Sequence, residues 1–154
     1  METVLETLRA LDDVAELAPE PGSAFPEIAW GDHFFYYSPD GTIPGNTQPF
    51  ATIVTKDYPG DTSSNLDPEG RWRLNIHVGS ARFTQLTGVN PKDFDAQVDP
   101  EEFATADRVL PHPVYGSLGW ISVVNPAVAT TETVLDLLRL AHGEARGRFQ
   151  RRQE

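Results

Sequence analysis

The cleanest alternation of apolar and polar side chains runs over residues 71–79, RWRLNIHVG. Trp72, Leu74, Ile76 and Val78 fall on one side, and Arg71, Arg73, Asn75 and His77 on the other. A period of two over this length predicts a strand with one buried face and one face that is wet or turned toward a ligand. Phe50 to Thr55 is β-branched and predicts a second strand. Residues 27–38 are rich in aromatics and end at Pro39-Asp40-Gly41, a turn signal. They predict one strand, or two short ones bent at Gly31-Asp32.

Helical spacing shows at both ends. Over residues 3–17, Val4, Leu5, Leu8, Leu11 and Ala15 recur at intervals of three and four, with Val14 nearby. This predicts one helix, stopped by Pro19, Pro21 and Gly22. Val134, Leu135, Leu138, Ala141, Ala145 and Phe149 predict a last helix from Thr130 or Thr131. Between them, Ser80 is expected to cap a short helix over 81–87, with Phe83 and Leu86 inward. Residues 88–106 are acidic and irregular, with one helical turn near Glu101 to Phe103. Arg108 to Tyr115 carries Pro111 and Pro113 and predicts an edge strand or a fixed extended segment. Gly119 to Val124 predicts a strand closed by Asn125-Pro126. Most connections between strands carry no helix. The expected class is therefore α+β, with a mainly antiparallel sheet, helices on one face, and helices at the N- and C-terminal ends.

A chain of 154 residues fits one domain, 1–154. There is no cysteine, which removes disulfides, thiolate metal sites and a cysteine nucleophile. The N-terminal METVLETLRALDDVAEL lacks a basic stretch before an apolar run and does not read as a secretory signal. No run of 18 apolar residues exists. The cytoplasm is the expected address. The net charge is −11, which repels phosphate backbones and anionic lipid over most of the surface. Residues 139–154 hold five arginines and two glutamates, a local +3 against −14 for the rest. The basic end at 146–154 reads as a solvated helix terminus.

The stretches FFYYSPDG, PFATIVTKDYPG, RWRLNIHVG and HPVYGSLGWISVVNP, followed by an apolar helix, resemble a small bacterial family of unknown function. More distantly they resemble MmcQ/YjbR-like proteins. The pieces that carry this second likeness are Leu74-Asn75-Ile76, the helix around Phe83 and Leu86, Trp120-Ile121-Ser122-Val123, and Leu135 to Leu138. Where that group commonly has Lys-Cys after its Asn strand, this chain has His77-Val78. Where the group has Ser-Tyr near the end of its last helix, this chain has Ala141-His142. The likeness implies an MmcQ/YjbR-like arrangement and carries no catalytic residues across. Its link to DNA-binding folds does not carry function with it.

No phosphate loop, dinucleotide fingerprint, zinc-protease motif or nucleophile elbow is present. The four histidines, His33, His77, His112 and His142, form no local pair at ligand spacing, so no metal or other cofactor is expected. The best local constellation is the polar row Arg71, Arg73, Asn75 and His77, with side chains roughly 6–7 Å apart. Bordered by Lys56, Tyr58, His112 or Tyr115, it would hold a carboxylate or phosphate, because guanidinium offers a planar fork. The alternative is a solvated face, or arginines paired with some of the 23 acids. If the row is a site, replacing Arg73 and His77 by Ala leaves the melting temperature nearly unchanged.

These residues favour a non-enzymatic binding or interaction module for a small anionic molecule or a protein partner. A homodimer is compatible with so many aromatics. One rival is a small enzyme using His77 or His112 as general base beside Asp32 or Asp57. The other is weak nucleic-acid binding through the basic last helix, opposed by the net charge of −11.

Overall fold

The computed structural model describes residues 1–153, the side chain of residue 96 excepted. Glu154, the last residue of the basic end, lies outside them. The elements in chain order are α1 (Glu2–Arg9), β1 (Val14–Leu17), β2 (His33–Tyr37), β3 (Ala51–Val54), β4 (Arg73–His77), α2 (Ser80–Thr87), α3 (Phe94–Gln97), β5 (Leu110–Pro111), β6 (Trp120–Val124) and α4 (Thr131–Gln153). The strands form one six-stranded sheet in the order β1-β2-β3-β4-β6-β5, and every neighbouring pair is antiparallel. The expected α+β class with terminal helices is what the chain adopts.

The apolar row of β4 behaves as its alternation requires. Trp72, Leu74, Ile76 and Val78 are buried in one cluster with Val4 and Leu8 of α1, Phe83 of α2, and Val134, Leu137, Leu138 and Ala141 of α4. Helices thus cover one face. The other face is covered in part by irregular chain. Leu66 and Tyr58, from the segment after β3, pack on Val54 and Val124.

Three expectations need correcting. Residues 3–17 are not one helix. The helix ends at Arg9, Asp13 takes a left-handed φ of 59°, and Val14–Leu17 pairs with β2. Ala15 continues the helical intervals from Leu8 and Leu11 but also stands two residues before Leu17, as a strand requires, and the Asp12-Asp13 turn decides between the two. Ser80 does not cap α2. Gly79 is the N-cap, with φ 83°, and no side chain bonds the first turn. The aromatic stretch is strand only over His33–Tyr37, because Glu27–Ala29 forms a 3-10 turn.

Two loop glycines meet where β4 leaves the sheet. Val78 and Gly79 both donate their N–H to the Gly119 carbonyl. A Cβ on Gly119 would stand 2.9 Å from the Gly79 carbonyl carbon, and its φ is +83°. Gly119→Ala is therefore expected to cost about 1–3 kcal/mol in urea denaturation. Gly143 lies inside α4 with open space around it, so Gly143→Ala should instead stabilise by about 0.5–1 kcal/mol.

Candidate functional site

The polar row of β4 is roofed. Arg73 is 1% exposed and Asn75 2%, so the face expected to be wet or open to a ligand is closed along most of its length. The roof is the irregular chain between β3 and β4, pinned from below. Arg73 donates through Nη1 to Asp61 Oδ1 at 2.9 Å and through Nη2 to Asp61 Oδ2 at 2.6 Å. Nη1 also donates to Ser64 Oγ at 2.9 Å, and Nε to Asn75 Oδ1 at 2.8 Å. Four of the five guanidinium N–H groups thus have acceptors inside the protein. The fork that would grip an anion already grips a carboxylate.

Asn75 continues the network across the sheet. Its Oδ1 also accepts from Ser122 Oγ at 3.0 Å, and its Nδ2 donates to Thr52 Oγ1 at 2.9 Å. His112 closes the far side. Its Nδ1 accepts the backbone N–H groups of Val114 and Tyr115, both at 3.0 Å. The ring is held neutral, and its Nε2 lies 3.3 Å from Arg73 Nη2. Burial and the Arg73 charge push the imidazole down to about 3. Burial raises the Asp61 carboxyl, but the Arg73 hydrogen bonds and charge outweigh it and hold the group below its usual range.

The remaining predicted residues divide. Arg71 straps the roof from outside, donating to the carbonyls of Asn65 at 2.6 Å, Ser64 at 2.9 Å and Ala104 at 2.8 Å. Lys56 and Tyr58 meet at Asp32, which is fully buried. Lys56 Nζ donates to Asp32 Oδ1 at 3.0 Å and to the Trp30 carbonyl at 2.8 Å, and Tyr58 donates its hydroxyl to Asp32 Oδ2. Burial and this carboxylate push the Tyr58 phenol up. Tyr115 is 50% exposed, with its ring 4.9 Å from that of His112. Two open clefts, of about 320 and 380 Å³, touch no residue of the row.

His77 differs from its row-mates. It is half-buried at the end of β4, with its ring 5.5 Å from Trp120. Burial and the Arg148 charge hold its imidazole below the ordinary range. Arg148 is itself half-buried, and burial pushes it down. Among the described residues, no carboxylate lies within ion-pair distance of it. The polar row therefore ends at an imidazole that feels the charge of Arg148 from the last helix.

Neither His77 nor His112 hydrogen-bonds Asp32 or Asp57. Asp57 instead accepts the backbone N–H of Leu66 at 2.9 Å. The carboxylate–imidazole pair that does form is one the sequence did not suggest. Glu16 Oε2 lies 2.8 Å from His33 Nδ1, and Arg9 grips both oxygens of the same carboxylate at 2.8 and 2.9 Å. These residues meet only because β1 pairs with β2, the strand that was read as helix. Arg148 was recognised only as part of a basic tail. Among the described residues, no group of three His, Asp or Glu could hold a metal ion, and no helix is long and apolar enough to cross a membrane.

The sequence matches, over residues 1–154, the family described as "Family of unknown function (DUF6194)", and the chain belongs to that family. No curated protein and no solved structure matches it.

Removing Asp61 would leave a guanidinium buried without its counter-ion. Asp61→Ala is expected to cost about 3–5 kcal/mol in urea denaturation, and Arg73→Ala to be comparably damaging rather than silent. Acid should reveal the same network. The unfolded chain binds a proton at His112 near its ordinary pKa of 6.5, while the folded chain refuses it until about pH 3. Stability then falls as pH drops through this window, by up to about 1.4 kcal/mol per unit. The depressed Asp61 carboxyl acts in the same direction lower in the range. In denaturation series from pH 7 to pH 4, His112→Asn should flatten the slope.

Proposed function

We propose that this chain is a non-enzymatic binding module that takes a small anionic molecule at the His77 end of the polar row. The observation that carries this reading is the contrast along one strand. Arg73 is closed off by Asp61, whereas neither His77 nor the half-buried Arg148 has a carboxylate within ion-pair distance, and Glu144, whose charge reaches both, is held by Arg82 at 2.9 Å. A half-buried cation without a counter-ion is costly, and an anion entering there would relieve it. Trp120 supplies aromatic surface beside His77, and the exposed Tyr115 lies farther along, against His112. The saturated network beneath holds the strand and its roof in one arrangement, which limits the ordering cost of binding.

An acid–base enzyme has one observation in its favour, the Glu16–His33 pair. Its carboxylate is already engaged by Arg9 and lies outside the polar row, so the binding reading is preferred. An MmcQ/YjbR-like arrangement is likewise our proposal, supported by the order of terminal helix, antiparallel strands, short helix, Trp-led strand and terminal helix. A bacterial, cytoplasmic setting goes with it.

Sulfate is a suitable probe because its charge is constant from pH 5 to pH 8. Sulfate binding should raise the His77 pKa measured by NMR titration, and it should tighten as pH falls and the ring takes its proton. Arg148→Ala should weaken binding at least tenfold with the melting temperature unchanged. Sulfate that leaves the His77 titration unmoved, or that binds Arg148→Ala as well as the parent, would refute the proposal.

A further inference from the structure

The outer edge of β1 is an unpaired strand edge with a charge of its own. Ser38 donates its N–H to the Asp13 carbonyl, and Phe50 donates to the Phe35 carbonyl. With Val14 opposite Tyr37 and Glu16 opposite Phe35, these bonds fix which backbone groups face β2. Asp13, Ala15 and Leu17 point inward to β2, and the N–H and C=O groups of Val14 and Glu16 point outward. Among the described residues, nothing bonds to those four outward groups. β1 is the terminal strand of the sheet, with no strand beyond it.

The flanks of this edge are acidic. Asp12, Asp13 and Glu20 are exposed around it and Glu16 lies within it. Glu16 is already engaged by Arg9 in a bidentate pair and by His33, so the uncompensated charge of this edge is that of Asp12, Asp13 and Glu20. This charge disfavours a second copy of the same strand. An antiparallel pair centred on Glu16 sets Glu16 against Glu16 and brings the Asp12-Asp13 turn of each copy toward Glu20 of the other. One centred on Val14 brings that turn toward Glu16. Like charges placed opposite one another across strands are destabilising, so these acids act against edge-to-edge self-association. The same charges favour an added strand of opposite sign.

We propose that β1 accepts an extended peptide segment of a partner protein, carrying Lys or Arg at alternate positions, as an added antiparallel strand. Backbone bonds to Val14 and Glu16 supply the pairing, and the acidic flanks select the basic sequence. The occupant is a basic strand rather than the anion proposed at His77, and the two sites are independent.

The test uses three capped hexapeptides on the full chain: alternating Lys and Val, alternating Glu and Val, and the Lys/Val peptide N-methylated at every second residue. Hydrogen exchange of individual amides is followed by NMR. The Lys/Val peptide at millimolar concentration should slow exchange at Val14 and Glu16 at least tenfold, and the other two should not. Equal protection by the N-methylated peptide would mean that charge alone is responsible and would overturn strand addition. Equal protection by the Glu/Val peptide would overturn the selection by charge. Absence of protection with all three, or full protection of both amides in the free protein, would overturn the proposal outright.

Discussion

The Arg73–Asp61 ion pair is the constraint on which the second face of the sheet depends. A guanidinium projecting from the first residue of a central strand, beneath irregular chain, must meet water, an anion or an internal acid. Here it meets an acid delivered by the irregular chain after β3, and that contact sets where the chain can run. Asp61 sits in a tight reversal whose backbone pairs with Tyr58 in both directions. Tyr58 in turn is held to the buried Asp32, and Ser64 joins Arg73 directly. The two clusters, Arg73–Asp61–Asn75–His112 and Asp32–Lys56–Tyr58, are thus successive anchors of one roof. Because the roof carries no helix and no strand beyond the isolated Tyr58–Asp61 bridge, its order rests on side-chain bonds of this kind.

The helical face has a different logic. Its cohesion is apolar and non-directional, and its pattern is written in the local period of each element. Leu74 and Ile76 below, and Leu137 and Leu138 above, are buried whatever the details of their contacts. The polar face is directional. Every donor and acceptor has to be matched, which favours one arrangement of the chain over its neighbours.

That difference decides what could be read in advance. The period of two in β4, the β-branched run of β3, the Pro-bearing edge at Leu110-Pro111 and the long last helix were all legible, because each is a local pattern. The pairing of Arg73 with Asp61 spans twelve residues and depends on a turn with no periodicity. It was visible only as the general statement that arginines in an acidic chain find acids. β1 is not legible because Ala15 satisfies two periods at once, at i+4 from Leu11 and at i−2 from Leu17. The signal that separates them is the Asp12-Asp13 turn with its left-handed Asp13. With β1 went the Glu16–His33 contact and the open edge. Of the candidate residues, the strand placed Arg73, Asn75 and His77 on one face as its alternation requires. Which of them is closed and which accessible depends on the roof, and no local pattern encodes the roof.

The central claim is that the Arg73 guanidinium is locked inside the protein by Asp61 in the absence of any ligand. Side-chain ¹⁵N NMR of the free protein at pH 7 addresses it directly. A guanidinium held by four internal hydrogen bonds rotates slowly about its C–N bonds and exchanges its protons slowly. Separate Nη signals with slow proton exchange are therefore the result this account requires. A single averaged Nη signal exchanging as fast as that of a solvent-exposed arginine would contradict it.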